Sequence, residues 1–196
     1  MSIEDRRERE RAARRRLIVE TARRLAETEG WDAVTTRRLS TEIEYSQPVL
    51  YKHFAGMEQI ADAVALDGFA ELAEAIRAAH SDAAEAGDTL NRIAQSYLDF
   101  ARDNPALYDA MFTRATTLRF AAQDTPPQLT AAFAALRQGV GMVAREQDAD
   151  TLTEVFWAAL HGLVTLGRTG RLRPAHDSDR VRLLVDELTG RRGSRP

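Results

Sequence analysis

Apolar residues recur at helical spacing along this 196-residue chain, and no stretch alternates apolar with polar residues long enough for a convincing strand. The chain therefore reads as all-α. Hydrophobic residues make up 44% of it, enough for a real core. It has no cysteine, so disulfides and thiolate metal sites are excluded. The first residues are charged and lack the apolar stretch of a signal peptide. No apolar run approaches the length of a membrane span. The expected location is the cytoplasm, with no membrane partner.

About nine helices are expected. The first runs over residues 9–29, where Leu17, Ile18, Thr21, Ala22 and Leu25 make one apolar face, and Gly30 ends it. Trp31 and Val34 follow as core anchors. A short helix over 36–43 has Thr35 as N-cap, and a second runs from the Ser46 cap to about Phe54 with Pro48 just inside it. Ala55-Gly56 breaks the pattern. Helices over 57–79 and 89–103 are separated by a turn at 81–88. Asn104-Pro105 introduces a short helix carrying Leu107, Met111 and Phe112. Residues 113–125 are ambiguous. Pro126-Pro127 opens a helix to about Gln147, and helices over 149–168 and 177–189 complete the chain before a frayed tail.

Charge divides the chain unevenly. Residues 1–24 hold nine arginines against five acidic residues, a balance of +4, and residues 57–196 carry −5, with 15 basic and 20 acidic residues. A basic head on an acidic body suits an anion-binding end joined to a body with another task.

Residues 34–54, VTTRRLSTEIEYSQPVLYKHF, carry the function. Two short helices separated by about three residues form a helix-turn-helix. The second is too short to be stable by propensity alone. Packing of Leu50 and Phe54 against Leu39, Ile43 and the first helix must hold it. The face left free offers Gln47, Val49, Tyr51, Lys52 and His53. Glutamine can bond an adenine edge, valine can touch a thymine methyl, and the other three can reach phosphates. Thr35 and Thr36 sit at a helix start, where hydroxyls and free N–H groups favour a phosphate, with Arg37 placed to help.

The segment resembles the DNA-binding region of the tetracycline-repressor (TetR) family. The resemblance covers about residues 16–64. It rests on the Gly30-Trp31 step, the Thr35-Thr36 start, and the run Ser46-Gln47-Pro48-x-Leu50-Tyr51-x-His53-Phe54. It implies an all-helical homodimer, usually a repressor, released from double-stranded operator DNA when a small molecule binds the C-terminal domain. By resemblance Thr35, Thr36 and Arg37 lie near the DNA backbone and Gln47, Pro48 and Val49 toward bases, while Tyr51, Lys52 and His53 meet phosphates or neighbouring bases. Two positions depart from the family. Glu44 stands where a turn glycine is usual, so it must adopt a left-handed conformation or bend the turn differently. Met57 replaces a usual lysine, which removes one phosphate anchor. Both changes imply weaker or more salt-sensitive binding.

The implied domains are a helix-turn-helix DNA-binding domain over 1–56 and a ligand-binding and dimerisation domain over 57–196. Trp157 and His161 share a helix face, followed by Gly162, which would permit close helix approach. With Pro105-Ala106-Leu107-Tyr108 upstream, this resembles a Trp, His-Gly type of C-terminal domain in the same family. Tyr97, Phe100, Met111, Phe112, Phe133, Trp157 and His161 are the candidates for lining a neutral, apolar effector site. The apolar faces of the helices over 149–168 and 177–189 exceed what one core needs and suit a four-helix dimer interface. A helical enzyme and a protein-binding adaptor are the alternatives. Against catalysis stand the lack of a cysteine nucleophile, a phosphate loop or a His-Glu-x-x-His run. The four histidines are scattered, and Glu154 with His161 is a pair common by chance. No catalytic residue, metal or cofactor is expected.

Overall fold

The computed structural model describes residues 2–80, 85–114, 118–120 and 124–190. The elements are α1 (Ile3–Glu29), a 3₁₀ turn (Trp31–Ala33), α2 (Thr36–Glu42), α3 (Gln47–Tyr51), α4 (Met57–His80), α5 (Ala86–Asp103), α6 (Pro105–Asp109) running into a π-helical turn (Ala110–Arg114), α7 (Pro127–Gly141), α8 (Ala149–Arg168) and α9 (Asp177–Thr189). The fold is all-α, with nine α-helices and no strand among the described residues.

Several boundaries differ from expectation. α1 begins at Ile3, because Ser2 and Asp5 cap it reciprocally: the Ser2 hydroxyl accepts from the Asp5 N–H at 3.1 Å, and the Ser2 N–H donates to the Asp5 carboxylate at 2.8 Å. α5 starts at Ala86, so residues 86–88 are helical where a turn was expected; residues 81–84 lie outside the described set, as does the expected tail over 191–196. α7 ends at Gly141, and turns occupy the stretch expected to continue it.

The chain forms two compact units that are not consecutive pieces of sequence. One comprises Met1–Gly68 with Asn104–Pro126, the other Phe69–Asp103 with Pro127–Pro196. In the first, α1 buries Ile18, Val19, Ala22, Leu25 and Ala26, and packs on α2 and α6. Polar bonds tie α6 to α1. The Glu27 carboxylate accepts from the N–H groups of Ala106 and Leu107, at 3.0 and 2.9 Å. These are first-turn donors with no partner inside the helix, so an anionic acceptor suits them doubly. Arg23 donates to the Asn104 side chain at 3.0 Å, and the Trp31 indole donates to the Ala106 carbonyl at 2.8 Å. A Cβ added at Gly68 would lie 2.7 Å from the Met111 sulfur, so a larger residue there would make the Met111 and Leu107 side chains shift.

In the second unit α5 packs against α7, α8 and α9, and α7 against α8. Its core is apolar: Phe69, Leu72, Ile76, Leu90, Ile93, Leu136, Val140, Phe156 and Leu160 are all buried. Asp148 caps α8, accepting from the Thr151 N–H at 2.8 Å, and that bond holds its carboxyl below the usual range. Among the described residues Gly162 has no neighbour within 4 Å of where its Cβ would stand, so it serves no close approach among them.

Candidate nucleic-acid interface

The interface is built on α2 and α3. Thr35 is extended, and its hydroxyl accepts from the Arg38 N–H at 3.1 Å, so it caps α2 as expected. Arg38 bridges Glu29 and Glu42 at 3.0 and 3.1 Å, and Arg24 reaches Glu42 at 2.8 Å. The hydrogen bond from Arg24, with the charges of Arg38 and Arg24, keeps the Glu42 carboxyl below its ordinary range against some desolvation. This network lashes α2 to the end of α1. It also takes Arg38 out of play for a ligand and leaves Arg37 exposed.

The turn takes the first of the two routes open to it. Glu44 has φ 55°, the left-handed region a glycine would occupy without strain. The Tyr45 N–H then closes on the Ser40 carbonyl at 3.0 Å. Ser46 occupies the N-cap position, but its side chain makes no capping bond. Only its carbonyl serves, accepting from the Val49 N–H at 2.9 Å. α3 is thus a five-residue helix that ends sooner than expected, with Lys52 and His53 in a tightened turn after it.

Tertiary contacts replace the missing helix length. Leu50 and Phe54 are buried, as are Leu39 and Ile43. Arg15 of α1 donates to the His53 carbonyl at 2.8 Å, and its guanidinium lies 4.0 Å from the centre of the Phe54 ring. One arginine therefore satisfies a free carbonyl at the end of α3 and covers the apolar anchor beneath it. Ser46, Gln47, Pro48, Tyr51 and Lys52 are exposed, Tyr51 by 53% despite its size, and Val49 is half-buried. Thr35 is exposed and Thr36 half-buried at the start of α2. His53 differs from its neighbours. It is half-buried, and its Nδ1 has no hydrogen-bond partner among the described residues. Burial first, then the charges of Arg11, Arg14, Arg15 and Lys52, lower its pKa.

Two comparisons decide what this architecture is. The family described as bacterial regulatory proteins of the TetR family matches residues 18–64, and the one described as the tetracyclin repressor-like C-terminal domain matches residues 90–188. The chain belongs to the TetR family of transcriptional regulators. A curated relative, an uncharacterized HTH-type transcriptional regulator of Mycobacterium tuberculosis, is 30% identical over 161 residues, covering 80% of this chain and 71% of the relative. Among solved structures, a protein of unknown function from Rhodococcus sp. RHA1 matches at 25% identity with a TM-score of 0.71, over 90% of this regulator and 93% of that chain. A TetR family transcriptional regulator from Thermus thermophilus shares the fold at 20% identity and a TM-score of 0.62, over 92% of this chain and 100% of its own.

The candidate effector residues separate between the two units. Met111 and Phe112 lie in the first, where Met111 packs at Gly68 and the Phe112 ring sits 4.6 Å from that of Tyr108. Tyr97, Phe100, Phe133, Trp157 and His161 lie in the second. Of these the regulator joins Tyr97 and Trp157 directly, the indole N–H donating to the tyrosine oxygen at 3.1 Å. His161 is half-buried, and burial lowers its pKa. The arginines of α1 are what sequence reading passed over. Charge counting marked the region as basic but not which side chains face α3; the Ser2-x-x-Asp5 capping signal would have shown that the helix carries them.

Proposed function

We propose that this chain is a dimeric repressor that holds operator DNA through α3 and lets go when a small, largely apolar molecule occupies its C-terminal domain. In functional terms residues 1–56 grip DNA, and residues 57–196 bind the effector and the second subunit. The observation that carries the reading is the one-sided burial of α3. Leu50, Phe54 and Arg15 hold one side, and the opposite side is left to solvent. An exposed Gln-Pro-x-x-Tyr-Lys surface on a rigidly held helix suits a major groove.

Gln47, Pro48 and Val49 face base edges in this reading, with Ser46 at the helix start beside the backbone. Tyr51, Lys52 and His53 engage phosphates, and so do Thr35, Thr36 and Arg37 at the start of α2. Met57 offers no charge at the start of α4, so one anchor fewer holds the duplex. For the effector, Tyr97, Phe100, Phe133, Trp157 and His161 are the lining. Burial disfavours the charged form of His161, which suits an uncharged molecule. The dimer forms through α8 and α9. Val155, Leu166 and Leu183 are exposed apolar residues there, and the open surface at Gly162 lets a second copy approach α8.

Selection of bound duplexes from random DNA tests the reading. A two-fold symmetric sequence is expected, with half-sites about 34–36 Å apart or a multiple of that. Tyr51→Ala and Lys52→Ala should weaken its binding and leave the dimer folded in sedimentation. Recovery of no preferred sequence, or a monomer at micromolar concentration, would contradict it.

A further inference from the structure

Beside α3 lies a second feature that the helix-turn-helix does not account for. Arg7, Glu10, Arg11 and Arg14 of α1, with Lys52 and His53, line an open groove of about 440 Å³. Arg7, Arg11 and Arg14 fall at i, i+4 and i+7, so they form one row on the helix. None of these three, nor Lys52, has a salt-bridge partner among the described residues. Arginines elsewhere are commonly paired, as in Arg24–Glu42, Arg38–Glu29 and Arg180–Asp177. Glu10, the acid that lines the groove, is engaged by Arg6 at 3.0 Å. The groove is also held in place. Arg15, one residue beyond the row, bonds the His53 carbonyl, so its two walls cannot drift apart without breaking the clamp.

Four uncompensated cations in a fixed groove repel one another unless an anion enters. Lys52 and His53 border both this groove and the exposed face of α3. The anion must therefore be continuous with whatever α3 engages. We propose that the groove holds the phosphate backbone of the duplex next to the half-site read by α3, so that the N-terminal turns of α1 form a second, sequence-independent contact with DNA. This rests on the DNA-binding reading above.

One consequence concerns pH. His53 faces Arg7, Glu10, Arg11, Arg14 and Arg15 from α1 and Lys52 from the end of α3. Burial and these cations disfavour the protonated ring in the free protein. A phosphate offsets the cations and raises its proton affinity. The complex then binds more protons than the free protein, so DNA affinity falls as pH rises between the free and bound pKa values.

The test uses the full-length protein and an arbitrary 30-base-pair duplex, followed by the duplex selected from random DNA. Arg11→Gln/Arg14→Gln is compared with Arg9→Gln/Arg16→Gln, which removes the same charge from the opposite face of α1 at about 100° per residue. The groove pair should flatten the dependence of log K on log salt by roughly 0.9 for each phosphate no longer neutralised, with sequence preference intact. The control pair should change it little. Circular dichroism verifies that both remain helical. Equal slopes in the two variants would overturn the proposal while leaving α3 as the reader. Failure of the wild-type protein to bind either duplex would remove both readings. Loss of binding to phosphatidylglycerol vesicles by the groove pair, with DNA affinity unchanged, would reassign the groove to a membrane. Wild-type affinity should fall as pH rises through the titration of His53, and His53→Gln should abolish that fall; an unchanged fall would place the proton elsewhere.

Discussion

The recognition segment and the C-terminal bundle are held by different kinds of force. α3 has five residues and α2 seven, and neither can be stable on its own. Each is pinned by a few buried anchors, Leu39, Ile43, Leu50 and Phe54, and by discrete contacts around them: the Thr35 cap, the Arg24–Glu42–Arg38–Glu29 network, and Arg15 over Phe54. The helices of the second unit run from 13 to 20 residues in α5, α7, α8 and α9, and pack mainly through apolar stripes. A surface that must stay polar for a partner cannot also be buried for stability. The short helices therefore depend on few residues, each with a large share of the load, whereas the bundle spreads it over many.

Substitutions should separate the two. Phe54→Ala removes a fully packed ring and the seat of the Arg15 guanidinium. It is expected to cost about 3–5 kcal/mol. Operator binding should vanish while the helical signal of the bundle persists; concerted loss of both in urea melts would show that the regions do not differ as described. Gly139→Ala strikes the bundle. Its Cβ would meet Ile93, and the resulting strain should cost roughly 1–3 kcal/mol and lower Tm, with DNA affinity per folded molecule unchanged. Arg15→Met keeps the stem but loses the bond to the His53 carbonyl. An expected cost of about 1–2 kcal/mol should appear as faster hydrogen exchange at α3 and not at α8. The smallest effect is at the turn. Glu44→Gly should relieve left-handed strain and stabilise the protein by about 0.5–1 kcal/mol, net of glycine's chain entropy. A destabilised variant would mean that the turn draws on something besides backbone freedom.

Most of this architecture is legible in the chain because helical periodicity survives wherever a face is buried. Ile60, Val64, Phe69, Leu72 and Ile76 recur at helical spacing along α4, and all five are buried. Residues 34–54 were legible for a second reason: each local choice there has a mechanical cause, from the Thr35 hydroxyl to the ring of Pro48. What escaped reading lacks a buried face. The first two turns of α1 have no apolar stripe to register, and only a capping pair with good helix formers makes them fold. Ser46 looks like a capping side chain, but its carbonyl alone does the work. Gly162 marks a close approach by type, yet no neighbour among the described residues fills that space.

The two bonds from Glu27 to the start of α6 have a mechanical consequence. Glu27 and Arg15 stand on the same uninterrupted rod, one gripping α6 and the other gripping the far end of α3. A displacement of α6 must either rupture both carboxylate bonds or drag the rod along. In the second case the motion arrives undiminished twelve positions away, as a tilt of the residue that seats α3, without passing through any loop that could absorb it.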